Sequence, residues 1–184
     1  MEQPANVPSE SSPANPAADL STRLHSASPD AYGTEYAAHR FEQYKLYVEM
    51  ADRISTRRQT ANSFFLSINT ALLAFLGVYA QISRSSKAPL PWVTAVALAG
   101  IVLCYYWYRL VRSYKDLNSG KFNVIHAIEA ELPLAPYAAE WKALGEGRDP
   151  SLYLPFTEVE VRIPWVFAAL YAGVAIWKVI DSLT

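Results

Sequence analysis

Two pairs of acidic residues are the side chains in this sequence whose type and spacing suit acid–base chemistry. They are Glu129 with Glu131, and Glu158 with Glu160. Paired carboxylates can serve as general acid and general base, but no candidate nucleophile or base accompanies these pairs. We therefore expect the four acids to lie on a solvated face or to pair with nearby basic groups.

Cysteine and histidine give no catalytic or metal-binding pattern. The single cysteine, Cys104, lies inside an apolar run, and His25, His39 and His126 are far apart in the sequence. No metal-ligand spacing links them, and neither a glycine-rich phosphate loop nor a nucleophile motif is present. We expect Cys104 to be a buried structural thiol, and we expect no enzyme activity, no metal site and no cofactor.

Apolar stretches dominate the organisation of this 184-residue chain. The longest, residues 59–83, carries no charged side chain and lies between Arg58 and Arg84. About 20 apolar residues are enough to cross a bilayer. A signal peptide would stand at the N-terminus, whereas 58 residues precede this stretch. We therefore predict an integral membrane protein with a first span over 62–82.

A second apolar stretch predicts a second span over 88–108. Prolines stand at its start, where a helix tolerates them, and aromatic residues mark both of its ends, as at a membrane interface. Its short connection to the first span predicts a tight hairpin. Small residues four apart, such as Gly100 and Cys104, allow close helix packing, although this pattern is common in membrane helices.

A third apolar stretch predicts a third span over 163–180. It is short and is bracketed by Trp165 and Trp177, which suit an interfacial position. We expect it to cross the membrane fully with snorkelling ends. The alternative is a buried or interfacial helix.

The remaining segments are polar. Residues 1–28 are rich in Pro, Ser, Ala and Asn and poor in large apolar side chains, which predicts a disordered tail. Residues 29–61 predict a cytoplasmic helix, for which Ser28-Pro29 supplies a cap and a first-turn proline. No proline or glycine lies between Gly33 and Gly77, which predicts one continuous helix from the cytoplasm into the first span. Residues 109–162 predict a cytoplasmic helical region.

Two local predictions concern the interior of that region. Ser119 is a candidate N-cap of a helix that Pro133 stops, and a shorter helix is expected over 136–144. The segment TEVEV, residues 157–161, alternates apolar and charged side chains and predicts at most a brief strand between two prolines.

Basic residues cluster on one side of the predicted spans. Arg53, Arg57 and Arg58 precede the first span, and further basic residues follow the second. The positive-inside rule puts the N-terminus and residues 109–162 in the cytoplasm. The three arginines are also candidates for contacts with anionic lipid headgroups, with plain topology signalling as the alternative. A net charge of −1 gives no reason to expect nucleic acid as a partner.

Polar side chains inside the first span are the remaining candidate site. They either line a pore or central cavity, or bond neighbouring helices, which is the interpretation we favour. No Asp, Glu, Lys, Arg or His lies within 59–83, 88–108 or 163–177, which argues against a proton relay or a charged selectivity ring. The polar side chains are Asn62, Ser63, Ser67, Asn69 and Thr70.

Three stretches resemble a known family. Residues 44–73, 114–133 and 140–147 carry an R-x-x-x-R-R entry to the first span and an L-N-x-x-K-F motif after the second. Over about 36–180 the chain looks like the RipA-type octameric membrane proteins of bacteria. More distantly, it resembles the two-helix membrane effectors of nucleotide-sensing antiphage systems. The resemblance implies a bacterial inner-membrane location, a homo-octamer and no catalytic activity. The positions it marks for mutation are Arg53, Arg57, Asn62, Asn69, Leu117, Asn118, Lys121 and Phe122.

The resulting prediction is an all-α membrane protein in which a long N-terminal helix runs into a hairpin of two spans. A cytoplasmic helical region and a short third span follow. We expect a non-enzymatic assembly whose partners are the lipid bilayer and further copies of the chain. Two alternatives stay open: a pore-forming membrane effector, and a membrane anchor that recruits a cytoplasmic protein through residues 109–162.

Overall fold

The computed structural model describes residue 20 and residues 22–82 and 90–183. These residues form α-helices, one 3₁₀ turn and their connections, with no β-strand among them. The predicted all-α class is therefore confirmed for this part of the chain. The tip of the predicted hairpin and residues 1–19 of the predicted tail lie outside the described residues.

Residue 20 and residues 22–24 are helical, and after them come a short helix, α1 (Pro29–Tyr32), and a long one, α2 (Tyr36–Ile82). The Ser28 hydroxyl caps α1 by accepting a hydrogen bond from the Ala31 amide at 3.3 Å. The continuous helix predicted between Gly33 and Gly77 corresponds to α2, whereas the predicted start at Ser28-Pro29 belongs to the separate helix α1. Gly33 adopts a φ of 92°, a left-handed conformation that ends α1.

Helix α2 has 47 residues and passes from the polar segment into the first predicted span without interruption. At about 1.5 Å per residue it is ~70 Å long, more than twice the ~30 Å hydrocarbon core of a bilayer. About half of α2 therefore extends beyond the membrane.

Helix α3 (Leu90–Glu129) has 40 residues and extends well past the second predicted span. Ser119 lies in its interior, so the prediction that Ser119 caps a separate helix is wrong. The helix continues because buried side chains, recurring mainly three and four residues apart, keep one face packed along its length. These are Val93, Ala97, Gly100, Cys104, Trp107, Val111, Lys121, Ile125 and Glu129.

Two helices complete the fold, α4 (Pro136–Ala143) and α5 (Phe156–Leu183). Between them, a 3₁₀ turn spans Gly145–Gly147. The predicted brief strand over 157–161 is wrong, because these residues form the first turns of α5. The Glu158 amide already donates to the Pro155 carbonyl at 2.9 Å, so the helical turn starts at that proline.

Helix α3 is central to the packing. It packs against both α2 and α5 over long surfaces, whereas α2 and α5 touch each other only briefly. Three helical segments are long and apolar enough to cross a membrane, within Tyr36–Tyr79, Pro91–Glu129 and Glu158–Leu183. The core between them consists of Leu76, Val93, Ala97, Cys104 and Tyr171.

Candidate functional site

Asn69, in the membrane half of α2, is fully buried where α2, α3 and α5 meet. Its amide nitrogen donates to the Phe65 carbonyl at 2.8 Å, and its amide oxygen accepts from the Cys104 thiol at 3.4 Å. Its backbone carbonyl accepts from the Tyr171 hydroxyl at 3.1 Å. Polar groups in hydrocarbon need internal partners, and here they find them within one protomer. Asn69 therefore joins three helices.

Gly100 on α3 is what lets Tyr171 reach Asn69. A Cβ atom at Gly100 would lie 2.4–2.6 Å from three ring atoms of Tyr171, far inside van der Waals contact. The Tyr171 side chain has 0% exposure, so its ring crosses directly over the bare backbone of α3. The close approach that small residues permit in membrane helices is used here between α3 and α5.

Trp107 on α3 forms a second junction of the same three helices. Its indole nitrogen donates to the Asn62 side-chain oxygen at 2.8 Å. Its ring stacks on Phe65 at 5.9 Å between centroids and with 8° between planes, and it packs on Phe167 of α5 at 6.0 Å. With only 2% of its surface exposed, Trp107 fills the space between the helices near one end of the apolar region.

The five predicted polar residues of the first span divide into two faces. Asn62 and Asn69, seven residues apart, point into the protomer and make the contacts described above. Ser63, Ser67 and Thr70 are exposed on the protomer surface. There the Ser67 hydroxyl donates to the Ser63 carbonyl at 2.8 Å, which satisfies it within its own helix.

The three arginines before the first span have different environments. Arg53 pairs with Glu49 at 2.7 Å on the exposed surface of α2. The Arg58 guanidinium lies 3.5 Å from the Glu160 carboxylate and ties α2 to the start of α5. Arg57 is exposed. Of the three, Arg57 is the one whose placement best suits a lipid headgroup contact.

Glu129, at the C-terminal end of α3, is a buried carboxylate with 1% exposure. It accepts hydrogen bonds from the Tyr44 hydroxyl at 2.9 Å and from the Tyr137 and Ala138 amides at 3.0 Å each. Those two amides belong to the first turn of α4, where a negative charge is stabilising. One carboxylate thus joins the part of α2 that precedes the apolar span, the end of α3 and the start of α4.

The phenol of Tyr44 responds to this environment. Burial, together with the hydrogen bond to Glu129 and the negative charge of that carboxylate, raises the pKa of Tyr44 from 10.0 to about 12. The Tyr44 hydroxyl therefore stays protonated and keeps donating across the physiological pH range. The hydrogen bond from Tyr44 to Glu129 is therefore present throughout that range.

Glu131 organises a neighbouring surface contact. Its side chain accepts from Arg40 at 2.8 Å, and its carbonyl accepts from the same guanidinium at 2.8 Å. His25 Nε2 lies 2.9 Å from the other carboxylate oxygen. Residues 22–28 were predicted as part of the disordered tail. This contact corrects that prediction for His25, which is placed against the end of α3 because Glu131 binds it.

The contacts of these groups join helices to one another. Among residues 20, 22–82 and 90–183, no three histidine, cysteine, aspartate or glutamate side chains come together as a metal site. The four acids singled out by their spacing do not converge: Glu129 caps a helix, Glu131 binds Arg40, and Glu158 and Glu160 face arginines. The expected pairing with basic groups holds for three of them.

Replacing Glu129 by alanine is expected to weaken the packing of α2 and α4 on the end of α3 by about 2–4 kcal/mol of free energy. The reason is that hydrogen bonds to a charged group contribute roughly 1.5–3 kcal/mol each and are not additive. Hydrogen-exchange mass spectrometry should show faster exchange of the Tyr137 and Ala138 amides. Glu131→Ala is the matched control, and we expect about 1 kcal/mol or less because its ion pairs are partly exposed. Unchanged exchange at the start of α4 in Glu129→Ala would contradict this role.

The fold and these junctions define a class of protein, an all-helical multi-pass membrane protein whose buried polar groups connect its spans. Residues 41–180 match the octameric membrane protein family (8xMP), and the chain belongs to this family. The family suspected from the sequence motifs is thereby confirmed, and with it an oligomeric protein of the membrane. No curated protein and no solved structure matches the chain.

Proposed function

We propose that the protein is a non-enzymatic homo-octamer of the bacterial inner membrane, with its N-terminal segment and residues 109–162 in the cytoplasm. The family supports the oligomer. Arg57 and Arg58 before the first span, and Arg109 and Arg112 after the second, support the orientation through the positive-inside rule. The contacts of α2 with the end of α3, at Tyr44–Glu129 and Arg40–Glu131, support a common side for both segments.

The observation that carries the proposal is the unburied membrane surface of a single protomer. In the most apolar 18-residue segment of α2 and in that of α5, 11% of the residues are buried, whereas 28% are buried in that of α3. Large side chains such as Phe64 at 58%, Leu98 at 61% and Ile176 at 61% exposure point outward on all three spans. A protomer with so little internal burial relies on lipid and on neighbouring protomers to cover its surface.

One outward face suits contact between copies. Ser63, Ser67 and Thr70 recur at spacings of four and three on α2, and Gly77 follows seven residues after Thr70. A Cβ at Gly77 would meet no atom within 4 Å in the protomer. A line of small residues at this period lets a second helix approach closely. We assign this face of α2 to the contact between neighbouring protomers.

Cysteine cross-linking tests this assignment. Cys104 is the single cysteine, so Cys104→Ala gives a background without thiols. In that background, oxidation of Ser67→Cys in native membranes should give a cross-linked dimer. Phe75→Cys, on a different exposed face of the same helix, should not. Cross-linking that is equal for both variants, or absent for Ser67→Cys, would overturn the assignment.

A pore lined by the same face is the second candidate, and labelling separates it from a helix contact. A water-filled pore exposes Ser67→Cys to a charged, membrane-impermeant methanethiosulfonate reagent, whereas a packed contact protects it. The pore also predicts ion flux in proteoliposomes. Because Asn69 is bonded inside the protomer, its side chain is not part of either lining. Labelling of Ser67→Cys together with ion flux would mean that this face of α2 lines a pore and does not contact a neighbouring protomer.

A further inference from the structure

A cavity of about 650 Å³ lies outside the apolar spans, between the outer half of α3, helix α4 and the connection that leads to α5. One face of α3 lines it with Asn118, Phe122 and His126, which follow one another every four residues. The volume falls within the range of roughly 300–1,000 Å³ that small-molecule sites occupy. The Glu129 junction adjoins this space through Tyr137, whose amide binds Glu129 and whose ring lines the cavity.

Aromatic side chains from three elements converge on the cavity: Phe122, Tyr137, Trp141 and Tyr153. Phe122 and Tyr137 meet edge to face at 5.7 Å between centroids. Trp141 packs against Gly147, where a Cβ would lie 3.1 Å from the indole ring and where φ is +69°. The faces of aromatic rings attract cations, most strongly when the site is desolvated.

The charged side chains that line the cavity are mostly acidic. They include three carboxylates, Glu140, Glu146 and Glu158, against one lysine, Lys115. Glu146 pairs with Arg148 and Glu158 lies 3.9 Å from Arg162, whereas Glu140 makes no ion pair with any residue in the described ranges. Glu146 adopts a left-handed φ of 55°, a conformation that costs free energy for a residue other than glycine and that is found at ligand-binding sites. Glu140 is therefore the carboxylate left to face a positive ligand.

Asn118 provides an acceptor without a donor. Its side-chain oxygen is buried and has no hydrogen-bond partner. Leaving a buried acceptor unpaired is unfavourable, and a bound N–H group would remove the penalty. Asn118 belongs to the L-N-x-x-K-F motif, which the oligomer contact on α2 does not explain.

We infer that this cavity binds an organic cation that carries N–H donors, an amine or guanidinium joined to an apolar body. The aromatic rings hold the apolar body and face the charge, Glu140 balances the charge, and the Asn118 oxygen accepts from the N–H group. The inference does not depend on the octamer or on the α2 contact, because every group it uses lies within one protomer.

Fluorine NMR on the full chain in nanodiscs tests the charge preference with three probes of one shape. These are 4-fluorobenzylamine, 4-fluorobenzyl alcohol and 4-fluorobenzoate, with empty nanodiscs to correct for partitioning into lipid. We expect the amine to bind at least tenfold more tightly than the alcohol, and the benzoate more weakly still. Equal binding of the three, preference for the benzoate, or no binding of the amine would overturn the inference.

Substitutions locate the site. Asn118→Leu removes the acceptor and should lower the affinity for 4-fluorobenzylamine about tenfold, the effect of one hydrogen bond to a charged group. Asn118→Asp keeps the size and adds a carboxylate, so it should tighten binding of the amine. Asp116→Asn removes an exposed charge two residues away on α3, outside the cavity lining, and should change binding less than twofold. Unchanged affinity in both Asn118 variants would place the amine elsewhere.

Discussion

Trp107→Ala is expected to destabilise the packing of the three spans by about 3 kcal/mol, the low end of the range measured for removing a buried tryptophan. The low end applies because lipid is itself apolar, so the loss comes from packing rather than from transfer out of water. The variant removes the ring that fills the space between Phe65 and Phe167. It also leaves the Asn62 oxygen without its 2.8 Å donor inside the membrane.

The comparison with Trp107→Phe separates the two contributions. Phenylalanine keeps most of the ring but cannot donate to Asn62, so we expect a loss of roughly 0.6–2 kcal/mol, the range of interhelical hydrogen bonds in membranes. Unfolding titrations with a denaturing detergent from mild micelles would measure both variants. If Trp107→Phe cost as much as Trp107→Ala, the hydrogen bond rather than the ring would hold the junction.

Gly100→Ala is expected to cost about 2–4 kcal/mol, because overpacking a tight core costs roughly 1–3 kcal/mol and a lost hydrogen bond adds about 1 kcal/mol. The new methyl group would lie 2.4–2.6 Å from the Tyr171 ring. That ring is rigid and fully buried, so it can yield only by moving away from Asn69 and breaking its 3.1 Å hydrogen bond. Thermal unfolding in detergent provides the measurement.

Two controls make this prediction specific. Gly173→Ala on α5 meets no atom within 4 Å in the protomer, so it should be neutral or slightly stabilising, as an alanine in an open helix position is. Tyr171→Leu should relieve part of the clash, and the double variant should therefore lose less than the sum of the single ones. A neutral Gly100→Ala would show that α3 and α5 are further apart than described.

The sequence predicts the membrane class and the family well, because both depend on local patterns. The charge-free stretches are visible as composition, and the R-x-x-x-R-R and L-N-x-x-K-F motifs are contiguous. Element boundaries were harder. A serine inside a helix resembles a serine that caps one. The buried line of α3 is apolar up to Val111 and includes Lys121 and Glu129 beyond it, so the sequence does not show that the helix continues through Ser119.

The contacts that join the helices could not be predicted from the sequence. Tyr44 and Glu129 are 85 residues apart, and Asn69 and Tyr171 are 102 apart. No periodicity within one helix reports such pairs. Gly100 was visible as part of a small-residue pattern, but the pattern did not show that Tyr171 would be its partner. The polar residues of the first span looked like one stripe because i and i+7 share a face, whereas Asn69 and Thr70 are adjacent and point about 100° apart.

The unbroken course of α2 has a mechanical consequence. A rod ~70 Å long that tilts by about 5° displaces one end relative to the other by ~6 Å. Arg40 and the Tyr44–Glu129 hydrogen bond join the part of α2 outside the apolar span to the end of α3. Asn62 and Asn69 join the membrane part of α2 to the same helix. Helices α2 and α3 are therefore joined along both halves of α2. We expect a ligand or a neighbouring protomer that shifts the parts outside the bilayer to tilt the two helices together.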